Sequence, residues 1–79
     1  MSDRDLDLDF DVDSPTVFRS AVETTRVERG MSLRGVAALS DVGHASYWAW
    51  LKSDGADVTL KNALAYAKAV GLKIVFRRA

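Results

Sequence analysis

The sequence predicts a mainly α-helical single domain of four helices with a short β-strand at each end. Three observations carry this. Four stretches place apolar residues at three- and four-residue steps between a capping residue and a break. The segment DLDLDFDVD, residues 5–13, alternates an aspartate with an apolar residue at every step, and LKIVFRR near the end alternates again.

Taken in order, residues 1–13 form an acidic alternating segment. As a strand it would put Leu6, Leu8, Phe10 and Val12 on one face and its aspartates on the other, where they repel one another. Two other readings stay open: a solvated acidic tail, and an inhibitory arm that lies on the basic body and competes with phosphate. Residues 14–79 form the helical domain. Ser14-Pro15 opens its first helix, serine capping free N–H groups and proline occupying the first helical position. This helix runs to about Arg29, buries Phe18, Ala21, Val22 and Thr25, and stops at Gly30. Ser32 caps a second helix from Leu33 to about Leu39, with Leu33, Val36, Ala37 and Leu39 inward.

After the Ser40-Asp41 turn, a third helix spans about His44 to Lys52, capped by Gly43 and burying Tyr47, Trp50 and Leu51. Residues 53–57 read as a loop by composition. Thr59 caps a fourth helix with Leu60, Ala63, Leu64, Ala67 and Val70 on its inner side, ended by Gly71. The final strand sets Leu72, Ile74 and Phe76 on one face, matching Leu8 and Phe10 of the first. These five residues are the expected sheet and dimer contacts.

Composition narrows the function. With no cysteine and a single histidine, His44, the chain offers no thiolate site and no metal centre, and no cofactor is expected. No nucleophile, base and orienting group stand in a recognisable relation, so an enzyme is not expected. The apolar runs fall far short of the roughly 20 residues of a membrane span, which points to a soluble, cytoplasmic protein. The formal net charge of zero hides an asymmetry. Residues 1–14 hold six aspartates and one arginine, net −5, whereas residues 15–79 hold ten Lys and Arg against five acids, net +5. A basic helical body is what a phosphate-binding protein needs.

Residues 32–53, SLRGVAALSDVGHASYWAWLKS, have helix-turn-helix spacing: a small residue (Ala37) where the helices cross, Val42 anchoring the turn, and Tyr47 and Trp50 facing back. Together, RVERGMSLRGVAALSDVG and the later TLKNALAYAKAVGLKI resemble the Cro/CI-like (XRE) family of phage and bacterial repressors over about residues 18–72. The C-terminal strand and Leu51 look most like its prophage-type regulators and helix-turn-helix antitoxins. The resemblance implies a four-helix lambda-repressor-like domain that inserts its third helix into the DNA major groove. It also implies base contacts from His44, Ala45, Ser46, Trp48 and Ala49. Ser32, Arg34, Lys52, Lys61 and Asn62 would meet phosphates, although as exposed polar groups they are equally at home in water. The family often has glutamate at the position of Leu51, so Arg26 must find another partner or reach solvent.

The expectation is a sequence-specific DNA-binding regulator, a repressor acting as a homodimer on a palindromic operator. The rival is an antitoxin or phage-type inhibitor that engages a partner protein through the acidic segment or the Trp48 surface. An outward tryptophan suits such an interface as well as it suits DNA.

Overall fold

The computed structural model describes residues 10–53, 58–76 and 78. It is mainly helical: α1 (Pro15–Glu28), α2 (Leu33–Ser40), α3 (His44–Lys52) and α4 (Leu60–Ala69), with no strand among the described residues. Each cap expected from a hydroxyl side chain is made. Ser14 Oγ accepts from the Val17 N–H at 3.2 Å, Ser32 Oγ from Gly35 at 2.9 Å and Thr59 Oγ1 from Asn62 at 3.1 Å. Each such cap contributes about 1 kcal/mol.

Helices α1 and α4 end in the same way. Gly30 adopts φ 66°, its N–H meets the Val27 carbonyl at 3.0 Å, and Met31 N–H reaches back to Arg26 O at 3.0 Å. Gly71 adopts φ 90°, with N–H to Lys68 O at 2.9 Å and Leu72 N–H to Ala67 O at 2.8 Å. Both pairs satisfy last-turn carbonyls through a left-handed residue, a conformation that glycine enters without strain. Arg29 ties the two ends together, Nη1 donating to Val70 O at 3.0 Å. A Cβ at position 71 would collide with that nitrogen, so Gly71 also makes room for Arg29.

Helix α2 packs on both α3 and α4 and ends at Asp41, which sits in the left-handed region at φ 60°. Ser40 is buried there, its Oγ donating to Ala37 O at 3.0 Å and accepting from Val42 N–H at 3.3 Å. The core gathers Val22, Val36, Ala37, Tyr47, Trp50, Tyr66 and Val70, with Phe18, Leu33, Val42 and Leu51 packed against it.

Several inward assignments are corrected. Leu39 is 67% exposed, and Leu60 and Leu64 are 74% and 44% exposed. At about 100° per residue, Leu39 stands roughly a third of a turn from the arc centred on Val36, Ala37 and Ser40. Leu60 and Leu64 lie on the flank of the arc set by Ala63, Tyr66, Ala67 and Val70.

The terminal strands are corrected as well: residues 10–13 and 72–76 enter no strand. A two-stranded ribbon is marginal by itself, and aspartate repulsion lowers the strand tendency of the acidic segment further. The rest of the proposed first strand, including Leu6 and Leu8, lies outside the described residues, as do residues 54–57 of the loop.

Candidate nucleic-acid interface

Helix α3 divides its nine residues sharply between two sides. Tyr47 and Trp50 are 0% and 2% exposed, and Leu51 is half-buried. His44, Ala45, Ser46, Trp48, Ala49 and Lys52 are all exposed. The exposed side is therefore presented by a helix whose other side is anchored.

That anchor is an aromatic cluster drawn from three helices. Trp50 stacks on Tyr66 of α4 at 4.7 Å between centroids and 21° between planes. Tyr47 lies 4.8 Å from Tyr66 and 5.8 Å from Trp50, and Phe18 of α1 meets Trp50 at 6.0 Å. Pairs in this range add about 0.5–1.5 kcal/mol each beyond the area they bury.

A polar tie completes it. The Tyr47 hydroxyl donates to Glu23 Oε2 at 2.9 Å, while Arg26 clamps the same carboxylate through Nε at 2.8 Å and Nη2 at 3.0 Å. Arg26 Nη1 also donates to Met31 O at 2.7 Å. Glu23, one turn earlier on α1, thus supplies the partner that Leu51 cannot. Burial alone pushes the Glu23 carboxyl upward, but the hydrogen bonds from Arg26 and Tyr47 outweigh it and hold it below the ordinary carboxylate value. Burial and the bond to Glu23 drive the Tyr47 phenol well above its usual range.

On the outer side, Lys52 Nζ sits 5.8 Å from the Trp48 ring centroid, one turn along the helix. At an exposed site this contact contributes about 0.5–1 kcal/mol and steadies the lysine. Trp48 itself remains 45% exposed. Ser46 and Ala49 of α3 share a shallow depression of about 620 Å³ with Ser53, Thr59 and Asn62. The start of α4 therefore adjoins the outer side of α3, bringing Asn62 to two of the expected base-contact positions. Ser32, Arg34 and Lys61 are exposed, and Ser32 is already engaged in capping α2.

The expected dimer residues fall elsewhere. Phe10, Ile74 and Phe76 line a groove of about 630 Å³ between α1 and α4, and Leu72, half-buried, lies at its inner side.

The roles of Tyr66 and Glu23 in holding α3 were not read from the sequence. The only signal for Glu23 is its three-residue spacing from Arg26, the arrangement of an exposed helical ion pair. Arg29, which ends α1, braces the end of α4. Arg19 leans toward the end of α3, its Nη1 donating to Leu51 O at 3.4 Å.

Among the described residues no group of three or more histidine or acidic side chains is placed to hold a metal ion, and no helix is long and apolar enough to cross a membrane. No family model, curated protein or solved structure matches the chain.

Proposed function

We propose that this chain is a helix-turn-helix DNA-binding regulator, a repressor that works as a homodimer and lays α3 in the major groove of a palindromic operator. The observation that carries this reading is the two-sidedness of α3. One side is locked by Tyr47 and Trp50, and the other exposes only short or polar side chains apart from Trp48. His44 and Ser46 can hydrogen-bond base edges, while Ala45 and Ala49 allow close approach or touch a thymine methyl. Exposed Arg34, Lys52 and Lys61 surround the helix in sequence and supply phosphate contacts. The likeness of residues 18–72 to Cro/CI-like repressors supports the same reading.

A gel shift on the promoter of its own gene at two salt concentrations tests it. Binding should weaken steeply with salt, because each neutralised phosphate releases counterions. Arg34→Ala or Lys52→Ala should weaken all sequences and flatten that slope, while His44→Ala or Ser46→Ala should change preference among operator variants by about 1 kcal/mol. Absent or salt-insensitive binding would sink the reading.

The exposure of Trp48 favours a second reading, an antitoxin or inhibitor whose Trp48 surface holds a partner protein. Trp48→Ala separates the two: it should abolish capture of the partner protein with DNA binding intact if the second reading holds.

A further inference from the structure

Among the described residues the Tyr66 hydroxyl makes no hydrogen bond, although the residue is only 1% exposed. Burial alone raises its phenol, with no bonded partner contributing. Tyr47, buried as deeply, donates to Glu23. A buried polar group left without a partner is rare in a folded protein and calls for an explanation.

Tyr66 lines the depression between α3 and the start of α4. With Trp50 it forms the buried floor, while Ser46 and Ala49 stand on one side and Thr59 and Asn62 on the other. The Asn62 side-chain amide also makes no hydrogen bond among the described residues, and Thr59 Oγ1, which accepts from the Asn62 N–H at 3.1 Å, keeps its own proton to donate. None of the described residues lining the depression is charged.

We infer that this depression binds a free purine nucleoside of the adenosine type, which occupies it in competition with DNA. The uncharged lining selects an uncharged ligand, because a charge buried there would go unpaired. An aromatic floor beneath a polar rim suits a flat ring with polar edges, and about 620 Å³ lies within the range of small-molecule sites. The Asn62 amide sets a donor beside an acceptor, the complement of the amino group and N7 on the adenine edge. The Tyr66 O–H then donates to a second acceptor on the ligand, and the hydroxyls of Ser46 and Thr59 meet the sugar. Adenines in DNA carry the same edge, but a base held in the duplex stack reaches no deeper than the rim, so the ligand that meets Tyr66 is a free molecule. Bound there, it covers Ser46 and Ala49, two of the positions proposed to touch bases. Only this competition rests on the proposed function; the binding does not.

Titration of the full isotope-labelled chain with adenosine, without DNA, should move the NMR amide signals of Ser46, Asn62 and Tyr66 saturably, with a Kd at or below about 1 mM. Tyr66→Phe removes only the unbonded hydroxyl, and should raise that Kd about fivefold with the helical circular dichroism unchanged. Inosine, which has a carbonyl in place of the amino group and so turns two acceptors toward Asn62, should bind about fivefold more weakly than adenosine. No saturable shift up to about 5 mM adenosine overturns the inference, as does a Tyr66→Phe variant that binds as tightly as the wild type, or inosine binding equally well. In a gel shift, bound adenosine should lower operator binding. Operator binding unchanged at saturating adenosine overturns the competition, whereas a wild type that binds no DNA at all overturns the proposed function and leaves the site standing.

Discussion

Helix α4 faces two apolar regions that end differently. On one side Tyr66 stacks with Tyr47 and Trp50 and is 1% exposed. On the other, Leu60 and Leu64 open onto the groove beside the terminal segments. The chain spends its large aromatic side chains on the region that fixes α3 and leaves aliphatic ones, with Phe10 and Phe76, on the region that stays open. Burial, more than hydrophobicity, separates the part that holds α3 in place from the part that stays open.

Four experiments break or sharpen this contrast, beginning with the closed region. Trp50→Ala should cost about 3–5 kcal/mol, the range for removing a buried large aromatic. A 79-residue domain has roughly 4–12 kcal/mol in total, so the variant should be close to unfolded by chemical denaturation.

Next, Glu23→Ala strands the Tyr47 hydroxyl and should cost about 1–3 kcal/mol. It should also change the response to pH at both extremes. The Glu23 carboxyl lies below its ordinary 4.5 when folded, so its stabilisation is complete above that value and fades as pH falls through the lower folded one. The Tyr47 phenol lies above its ordinary 10.0 when folded, so its contribution is complete below that pH and fades as pH rises beyond it. Denaturation followed against pH should show a shallower decline on the acid side for the alanine variant than for the wild type.

Gly71→Ala should cost about 1–2 kcal/mol from the left-handed backbone alone, with Arg29 displaced from Val70 O. A thermal melt compared with Gly43→Ala, where an added Cβ meets nothing within 4 Å and φ is negative, isolates the effect. Smallest of all, Leu64→Ser on the open side should change monomer stability by no more than about 0.5 kcal/mol, as exposed substitutions do. A large loss there would erase the distinction between the two regions.

The helices were legible in the sequence because their punctuation is local. Ser14-Pro15, Ser32 and Thr59 cap within three residues of themselves, and Gly30, Asp41 and Gly71 take the left-handed conformation that stops each of the helices they follow. The exposed side of α3 was legible for a similar reason, since Tyr47 and Trp50 leave only one side for His44, Ser46 and Trp48.

What was not legible depends on distant partners. Periodicity gave the direction of the α4 stripe but not its width, so Leu60 and Leu64 were counted inside and Tyr66 was passed over. Alternation at the two ends signals strands only where a ladder partner exists, and residues 72–76 have none within the chain among the described residues. The bond from Arg29 to Val70 joins residues 41 apart in sequence, a relation that no window of neighbouring residues contains.

That bond also bears on how fast the molecule comes apart. Helices that form from local contacts are assembled early, whereas a link closing so long a stretch of chain pays its loop entropy before it gains anything. Arg29 should therefore be absent from the transition state for folding, and replacing it with methionine should speed unfolding while leaving the refolding rate nearly unchanged in a stopped-flow chevron. In this reading the arginine at the end of α1 is a latch on the finished fold, governing how long each native molecule lasts more than how readily it forms.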